Sequence, residues 1–343
     1  MIFLENIMNL NQKQVMFMNK NKYYELLNDF AIRIPALPFS NYRKFEDENF
    51  INDAINDSYF IEAIKIASPS LYDSIKRQKI DNSVIKAIIK YYSRISTRTT
   101  PFGLFSGISI GKFNENTTIN YDENNFNKRI RVDYEWLVKL IKKIEIDYKL
   151  YRNLSLYTSR NIFEYGNKIE NPIITCFNYY KSNESYQGKC YINNKNNIKF
   201  ILNMLKSGAR YDDIQSAFKK KKLKIDDSIL DNLIEGLIKN EYIYTEIRPN
   251  INDYNYLDYI INIMEINEVQ IDILNELKKI NSLIKEYNSL RKTDGISILD
   301  EIQSLMKNIH ESKSYIQVDL VLSLIHISEP TRPVCSSRMP SSA

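Results

Sequence analysis

Residues 91–107, YYSRISTRTTPFGLFSG, gather the side chains most able to do chemistry. Arg94 and Arg98 stand four apart, so while a helix persists they share one face at its C-terminal end. Two adjacent guanidiniums repel each other. The pairing makes sense where a phosphate or carboxylate is held, because each guanidinium offers a planar fork of donors. Thr99 and Thr100 add hydroxyls, and Gly103 and Gly107 allow close backbone approach. A structural reading stands beside this one: arginines at a helix end complement the macrodipole, and Pro101 with Gly103 makes an ordinary turn. Spacing alone leaves the two readings level. No Gly-Lys-Ser/Thr follows, so the segment is not a P-loop.

The rest of the inventory narrows the chemistry. The chain has two histidines, His310 and His326, and its cysteines, Cys176, Cys190 and Cys335, lack CxxC spacing. That disfavours a structural zinc site, a disulfide framework, metallohydrolases and Ser-His-Asp hydrolases, and no metal site is expected. Acid, base or charge stabilisation must then come from Arg, Lys, Asp, Glu, Tyr or hydroxyl groups, unless a partner brings its own activated group. The 343 residues, 43% hydrophobic and 26% charged, suffice for two or more compact domains. The net charge of +5 is a small difference between 47 basic and 42 acidic residues; it permits nucleic-acid binding without indicating it. No run approaches the roughly 18 apolar residues of a membrane helix, and the start lacks a signal-peptide pattern, so a cytoplasmic protein is expected.

The elements that must position these residues read as a mixed α+β chain. Residues 47–95 are helical in pattern, broken at Ala67-Ser68-Pro69, where Ser68 suits a cap and Pro69 the first turn of a new helix. Val84, Ile88, Tyr91, Tyr92 and Ile95 mark a buried helix face, with Lys86, Lys90 and Arg94 opposite. Strands are expected at 117–121 and 129–132, then a helix from Tyr134 to about Glu145. Between 154 and 194 the signals are strands and turns: 162–165, Gly166-Asn167, 173–177 and 190–192. Helices at 198–206, 211–218 and 227–239 and a closing strand at 242–244 make a winged helix-turn-helix the most economical reading. Ile273, Leu277, Ile280, Ile284 and Tyr287, a Thr293-Asp294-Gly295 turn, then Ile298, Ile302, Leu305 and Ile309 predict a helical hairpin. Residues 315–320, YIQVDL, begin a strand.

The ends differ in character. Met1, Met8, Met16 and Met18 all precede the first patterned segment, so residues 1–17 are read as a doubtful extension. From Leu322 onward Asn, Lys, Tyr and Asp cease, and LSLIHISEPTR resembles the translation of a sequencing adapter. Residues 321–343 are therefore read as a foreign tail, and the natural protein as longer.

Taken together, STRTTPFGLFSG resembles the signature of the lantibiotic dehydratase amino-terminal region, a Ser-Thr-Arg-x-Thr-Pro-Phe/Tyr-Gly segment. ASPSL at 67–71 and RVDYEWL at 131–137 match further family segments in the expected order, and the likeness spans Arg33 to about Leu320. The resemblance implies an enzyme that transfers glutamate from glutamyl-tRNA to Ser or Thr of a ribosomal precursor peptide, with elimination in a separate carboxy-terminal domain. Glutamyl-tRNA would be the co-substrate and no other cofactor is implied; precursor leader and tRNA-Glu are the partners, DNA is not, and a homodimer and a cyclase partner are compatible. Because the tRNA ester is already activated, the chain need supply a pocket, charge stabilisation and orientation rather than a nucleophile.

By motif, Arg94, Arg98 and Thr100 match glutamylation positions, as does Arg33 in AIRIPALPF. Asp133 matches a functional aspartate and also suits the cap of the helix opening at Tyr134; both can hold. Asp319 in YIQVDL is a shorter match. In the family a winged-helix module takes the leader as an added strand, and Cys190, Tyr191 and Ile192 lie in the matching edge. The expected organisation is residues 18–150 as the first part of the glutamylation domain, 151–248 as the leader-recognition module, and 249–320 as hairpin and next strand. A fragment of this extent is expected to be inactive alone. Rival readings are a peptide aminoacyl-tRNA ligase, a non-catalytic leader-binding protein, and a winged-helix DNA-binding protein suggested by Lys219–Lys222 and Lys224.

Overall fold

A computed structural model of the chain describes residues 27–41, 47–113, 126–147, 150–172, 190–221, 226–249, 255–268, 271–290, 295–322 and 328–329. The strands expected at 117–121 and 173–177 lie outside them. By contacts the chain divides into two units: residues 1–129, 288–296 and 318–343, and residues 130–287 and 297–317.

The first unit opens with β1 (Asp29–Pro35), followed by α1 (Phe50–Asn56), α2 (Ser58–Ala67), α3 (Pro69–Lys76) and α4 (Asn82–Thr97). Capping explains several boundaries. Asp57 accepts from the N–H groups of Tyr59 and Phe60 to start α2, and Asp81 accepts from Ser83 and Val84 to start α4. Pro69 takes the first turn of α3 as expected, but Ser68 makes no side-chain cap; its hydroxyl faces that of Ser70. Along α4, Ile88, Tyr92 and Ile95 are buried, and Tyr92 packs against the rings of Phe50 and Phe60.

A sheet takes β1, β2 (Ser106–Phe113), β9 (Ile316–Leu322) and β3 (Phe126–Val132) in that order, with β10 (Ser328–Glu329) also on β2. β1 and β2 are antiparallel, Arg33 opposite Ile108 and Pro35 opposite Ser106. β2 and β9 are parallel, Gly107 opposite Leu320 and Ile108 opposite Val321. The burial alternates as a half-covered sheet demands: Lys128, Ile130, Val318 and Leu320 face inward, whereas Arg33, Ile108, Ile110 and Val321 face out. Inward-facing Lys128 is not left bare. Its ammonium lies 2.5 Å from Glu62 of α2, which also accepts from the Gly295 N–H at 3.2 Å.

In the second unit α5 (Tyr134–Lys142) runs into a π turn at Lys143–Asp147. β5 (Phe163–Tyr165), β6 (Lys168–Asn171) and β7 (Cys190–Asn193) form an antiparallel sheet through the expected Gly166-Asn167 turn. Helices α6 (Asn196–Met204), α7 (Tyr211–Lys220) and α8 (Asp227–Lys239) follow where the periodicity placed them. Their buried residues Ile201, Leu202, Ile214, Phe218, Ile234 and Leu237 share one core with Ile169 and Leu156. The closing strand β8 (Ile243–Thr245) pairs with β4 (Leu156–Thr158) and not with the three-stranded sheet. β4 escaped the sequence reading because three residues carry too little alternation to register.

A helix the reading did not include, α9 (Tyr256–Ile266), precedes α10 (Ile271–Ser289) and α11 (Ile296–Ile309), the two arms of the expected hairpin. On α11 the buried seam is Leu299, Ile302, Met306 and Ile309; Met306 takes the place expected of Leu305. No described helix is long and apolar enough to cross a membrane.

Candidate functional site

The 91–107 segment is the hinge between helix and sheet in the first unit. α4 ends at Thr97, and Arg98 is already extended (φ −102°, ψ 129°). Helix therefore does not persist through Arg98, and the two arginines are not side by side on a helical face. The residue before Pro101 is driven out of the α region, and the chain extends ahead of it. The Arg98 N–H still donates to the Arg94 carbonyl at 3.0 Å, so Arg98 sits directly above the last turn.

Arg94 is more than a solvated cation at a helix end. Its guanidinium lies over the Phe102 ring, 4.5 Å from the centroid, and its Nε is buried with no hydrogen-bond partner among the described residues. Arg98, Thr99 and Thr100 are exposed. The turn beyond them reverses at Gly103 (φ +55°), a backbone shape that suits glycine. The Phe105 N–H closes it on the Phe102 carbonyl at 3.0 Å, and Tyr59 donates to the Leu104 carbonyl at 2.7 Å. The end of β1 is stitched to the same hinge: Ala36 donates to the Phe105 carbonyl and Leu37 to that of Ile95.

Register then determines what lies together. Arg33 and Ile108 are opposite on β1 and β2, and Val321 is opposite Ile108 on β9. Two residues back along β9, Asp319 has the same facing as Val321, so Arg33 and Asp319 occupy the outward side of one sheet. Ser106 shares that facing, yet it is only 1% exposed, because the Thr99–Phe102 turn covers it; its hydroxyl donates to the Thr99 carbonyl at 2.7 Å. The outward face of the sheet is thus bordered by the turn that carries Arg98 and Thr100. Four of the residues singled out from sequence converge on this border and face.

One neighbour was missed. The Asp133 N–H donates to the Tyr315 carbonyl, and Arg131 Nε to Gln317, which sets β3 against β9. The same register carried on puts Arg129 across from Asp319. The period-two alternation of Lys-Arg-Ile-Arg-Val is the signal that could have found it, since it places Arg129 and Arg131 on the outward side.

Asp133 itself lies in the second unit and caps α5. One carboxylate oxygen accepts from the Glu135 N–H at 2.8 Å, and the other from the Ser314 hydroxyl at 3.0 Å and the Gln317 amide at 3.1 Å. The residue is 8% exposed, and the capping half of its dual reading is realised in full.

Cys190, Tyr191 and Ile192 form β7, which pairs with β6 alone among the described residues. The Asn194 N–H bonds the Asn167 carbonyl at 3.0 Å, and the alternation this begins turns the Tyr191 N–H and carbonyl away from β6. Tyr191 is 47% exposed, with the Lys168 ammonium 5.4 Å from its ring centre. Cys190 is half-buried, its sulfur 3.5 Å from the Asn240 amide oxygen and its carbonyl accepting from Tyr242 at 2.7 Å; it packs, as a small apolar residue would. Of the lysine run, Lys221 lies 3.8 Å over the Phe200 ring, while Lys222 and Lys224 are outside the described residues.

The chain is 27% identical over 301 residues to the epidermin biosynthesis protein EpiB of Staphylococcus epidermidis, covering 85% of this chain and 30% of that protein. It is 26% identical over 302 residues to the nisin biosynthesis protein NisB of Lactococcus lactis subsp. lactis, covering 85% and 29%. The chain thus spans about 30% of the length of the curated relatives it matches. Among solved structures, the tRNA-dependent lantibiotic dehydratase MibB from Microbispora sp. 107891 superposes with a TM-score of 0.72 at 20% identity, over 88% of this chain and 29% of that one. The glutamylation domain of TbtB from thiomuracin biosynthesis superposes with a TM-score of 0.57 at 12% identity, over 82% and 34%. These likenesses show a shared α+β fold. The family model for the lantibiotic dehydratase N terminus matches residues 56–332, and the chain belongs to that family.

Proposed function

We propose that this chain supplies part of a glutamyl-transfer site and the peptide-recognition module that feeds it. The observation that carries the reading is the outward sheet face of Arg33 and Asp319, bordered by the Thr99–Phe102 turn that Ser106 holds in place. Glutamyl-tRNA presents an ester whose carbonyl carbon is attacked by a Ser or Thr hydroxyl oxygen of the peptide. The ester C–O bond breaks, the tRNA ribose keeps the departing oxygen, and the hydroxyl proton ends on it. Negative charge grows on the carbonyl oxygen in between, and guanidiniums placed beside it stabilise that charge. Arg94, Arg98 and Arg33 serve as the forks for this charge and for the tRNA 3′ end, with Thr100 and Asp319 orienting the reacting groups. The two histidines of the sequence are not needed, because the activated ester removes the demand for a protein nucleophile.

The peptide arrives as a strand added to β7, where Tyr191 offers its outward N–H and carbonyl. Precursor peptide and tRNA-Glu are the partners this reading requires. A reading as a peptide aminoacyl-tRNA ligase shares the transfer step and omits elimination.

The test is glutamate incorporation by the full-length enzyme from labelled glutamyl-tRNA. Arg94→Lys and Arg98→Lys each turn a fork into a point charge, so incorporation is lost while leader affinity stays near wild type. Unchanged incorporation in both variants would remove the assigned role.

A further inference from the structure

The second unit holds a pocket of about 540 Å³ that neither the transfer face nor β7 accounts for. Its floor is apolar, made by Ile162, Ile169 of β6 and Leu202 of α6. Tyr157 and Tyr244, stacked with centroids 5.7 Å apart, form one wall, and Phe163 of β5, 46% exposed, forms another. Gly208 makes the first wall possible. It sits at φ +80°, and a Cβ there would lie 2.5 Å from the Tyr157 ring.

The rim is basic. Arg160, Lys199 and Lys206 stand against a single carboxylate, Glu164. That carboxylate is already engaged: Lys199 approaches it at 2.9 Å and the Asn194 amide donates to it at 3.1 Å. Arg160 makes no ion pair among the described residues, and Lys206 acts on Glu164 only at longer range, so three cations face one carboxylate and the rim keeps a net positive charge above an apolar floor.

The pocket also adjoins a strand edge. β5 pairs only with β6 among the described residues. A two-residue turn closes on a hydrogen-bonded pair, here Tyr165 and Lys168, so alternation points the Glu164 N–H and carbonyl outward. Extended peptide can therefore pair with β5 and send alternate side chains into the pocket. A stacking nucleotide would use the cations but would leave this edge idle.

We propose that the pocket is a second peptide subsite, binding an acidic segment of the precursor peptide with one apolar side chain on the Ile169 and Leu202 floor and carboxylates on Arg160 and Lys206. This rests on the reading of the protein as a precursor-binding enzyme and adds a second point of attachment to it. β5 and β7 are the two edges of one three-stranded sheet, so strands added outside them lie four strand spacings, roughly 19 Å, apart, and a single peptide can engage both with at least about six residues between. Two weak contacts linked in this way hold a peptide far better than either alone.

The experiment titrates the whole chain with a fluorescein-labelled peptide of alternating Leu and Glu, and with its Leu–Lys counterpart, by fluorescence anisotropy. The Leu–Glu peptide binds and the Leu–Lys peptide does not. Lys206→Glu weakens the Leu–Glu peptide by about tenfold or more and lets the Leu–Lys peptide bind. Lys206 is exposed, so this variant keeps its fold, which circular dichroism checks; Leu202→Trp, which fills the floor, excludes both peptides. Tyr191→Pro, which blocks β7, leaves the Leu–Glu peptide unaffected. Equal binding of the two peptides, or indifference to Lys206→Glu, overturns the subsite. Loss through Tyr191→Pro alone overturns it too, since the probe then sits on β7. Displacement of the Leu–Glu peptide by a CCA-ended RNA oligonucleotide assigns the pocket to nucleic acid instead. If Tyr191→Pro fails to weaken the precursor, the β7 reading falls while these results still decide the pocket.

Discussion

The Ser106 hydroxyl donates to the Thr99 carbonyl at 2.7 Å, and that one bond ties the arginine-bearing turn down onto the sheet. Ser106 is the first residue of β2 and lies beside Pro35, two pairs from Arg33. The bond thus couples the position of Arg98 and Thr100 to the face on which Arg33 and Asp319 stand.

Replacing Ser106 with Ala leaves the Thr99 carbonyl without its protein donor, at a local cost of roughly 0.5–1.5 kcal/mol, the net worth of an ordinary hydrogen bond at a partly exposed site. The turn then loosens. Glutamate incorporation by the full-length Ser106→Ala enzyme should fall well below wild type while leader affinity holds, measured as labelled glutamate transferred and as peptide anisotropy. A variant whose two readouts fall together would show that Ser106 matters only to folding.

Asp133 offers a way to separate capping from catalysis. Its carboxylate holds the Glu135 N–H, the Ser314 hydroxyl and the Gln317 amide. Asp133→Ala removes both acceptor oxygens, and with them all three bonds, and should cost about 1–2 kcal/mol or more. Asp133→Asn keeps one carbonyl oxygen for the cap, so most stability returns. Urea unfolding followed by fluorescence of Trp136, the sequence's one tryptophan, measures both. If Asp133→Asn unfolds like wild type yet transfers no glutamate, the residue serves both roles.

Much of this was legible because it is local. The STRTTPFG run announced a special segment, and the buried face of α4 at Ile88, Tyr92 and Ile95 and that of α10 at Leu277, Ile280, Ile284 and Tyr287 followed from three-to-four spacing. What sequence could not give depends on register. That Arg129 lies across from Asp319 requires knowing that β3 and β9, far apart in the chain, are adjacent in the sheet. Arg98 leaving the helix was also hidden: four-residue spacing assumes helix, whereas α4 ends at Thr97 and Arg98 is extended. β8 found its partner in Leu156–Thr158, a strand too short to show a period. Glu145 was seen only as the expected end of a helix, yet it proved to be a buried anchor.

Glu145 is fully buried in the π turn and receives Arg248 through Nε at 3.0 Å and Nη2 at 2.8 Å, with the Thr245 hydroxyl at 2.6 Å. Removing one member of such a pair strands the other charge in a dry site. Glu145→Gln should therefore destabilise the second unit by roughly 3–5 kcal/mol, and Arg248→Met by a similar amount. The double variant should cost less than the sum of the two, because Glu145 and Arg248 then leave together and neither strands the other; the loss of Arg248 from Glu241, 3.9 Å away, is common to Arg248→Met and the double variant. Urea midpoints from Trp136 fluorescence give all four corners of the cycle, and simple additivity would mean that the pair is not coupled.

His310 supplies a pH dependence with a definite sign. Its ring stacks on Trp136 with centroids 4.8 Å apart, and Nε2 lies 3.0 Å from the Trp136 carbonyl oxygen. Burial pushes its pKa below the ordinary 6.5, and Lys139 and Lys143 push the same way; the carbonyls of Glu311 and Trp136 oppose them without prevailing. In the unfolded chain the ring takes up its proton near pH 6.5, before the folded ring does. Between those two points the unfolded state binds more protons, so stability rises with pH. The contribution of a neutral His310 is complete above the unfolded pKa and is lost as pH falls through the folded one. Wild type should therefore lose more stability than His310→Gln on acidification across that window, with the other carboxylates and amines titrating alike in both. Comparing their urea midpoints by Trp136 fluorescence above and below the unfolded pKa isolates the histidine. Parallel pH profiles would mean that His310 titrates in the folded protein as it does in the unfolded chain.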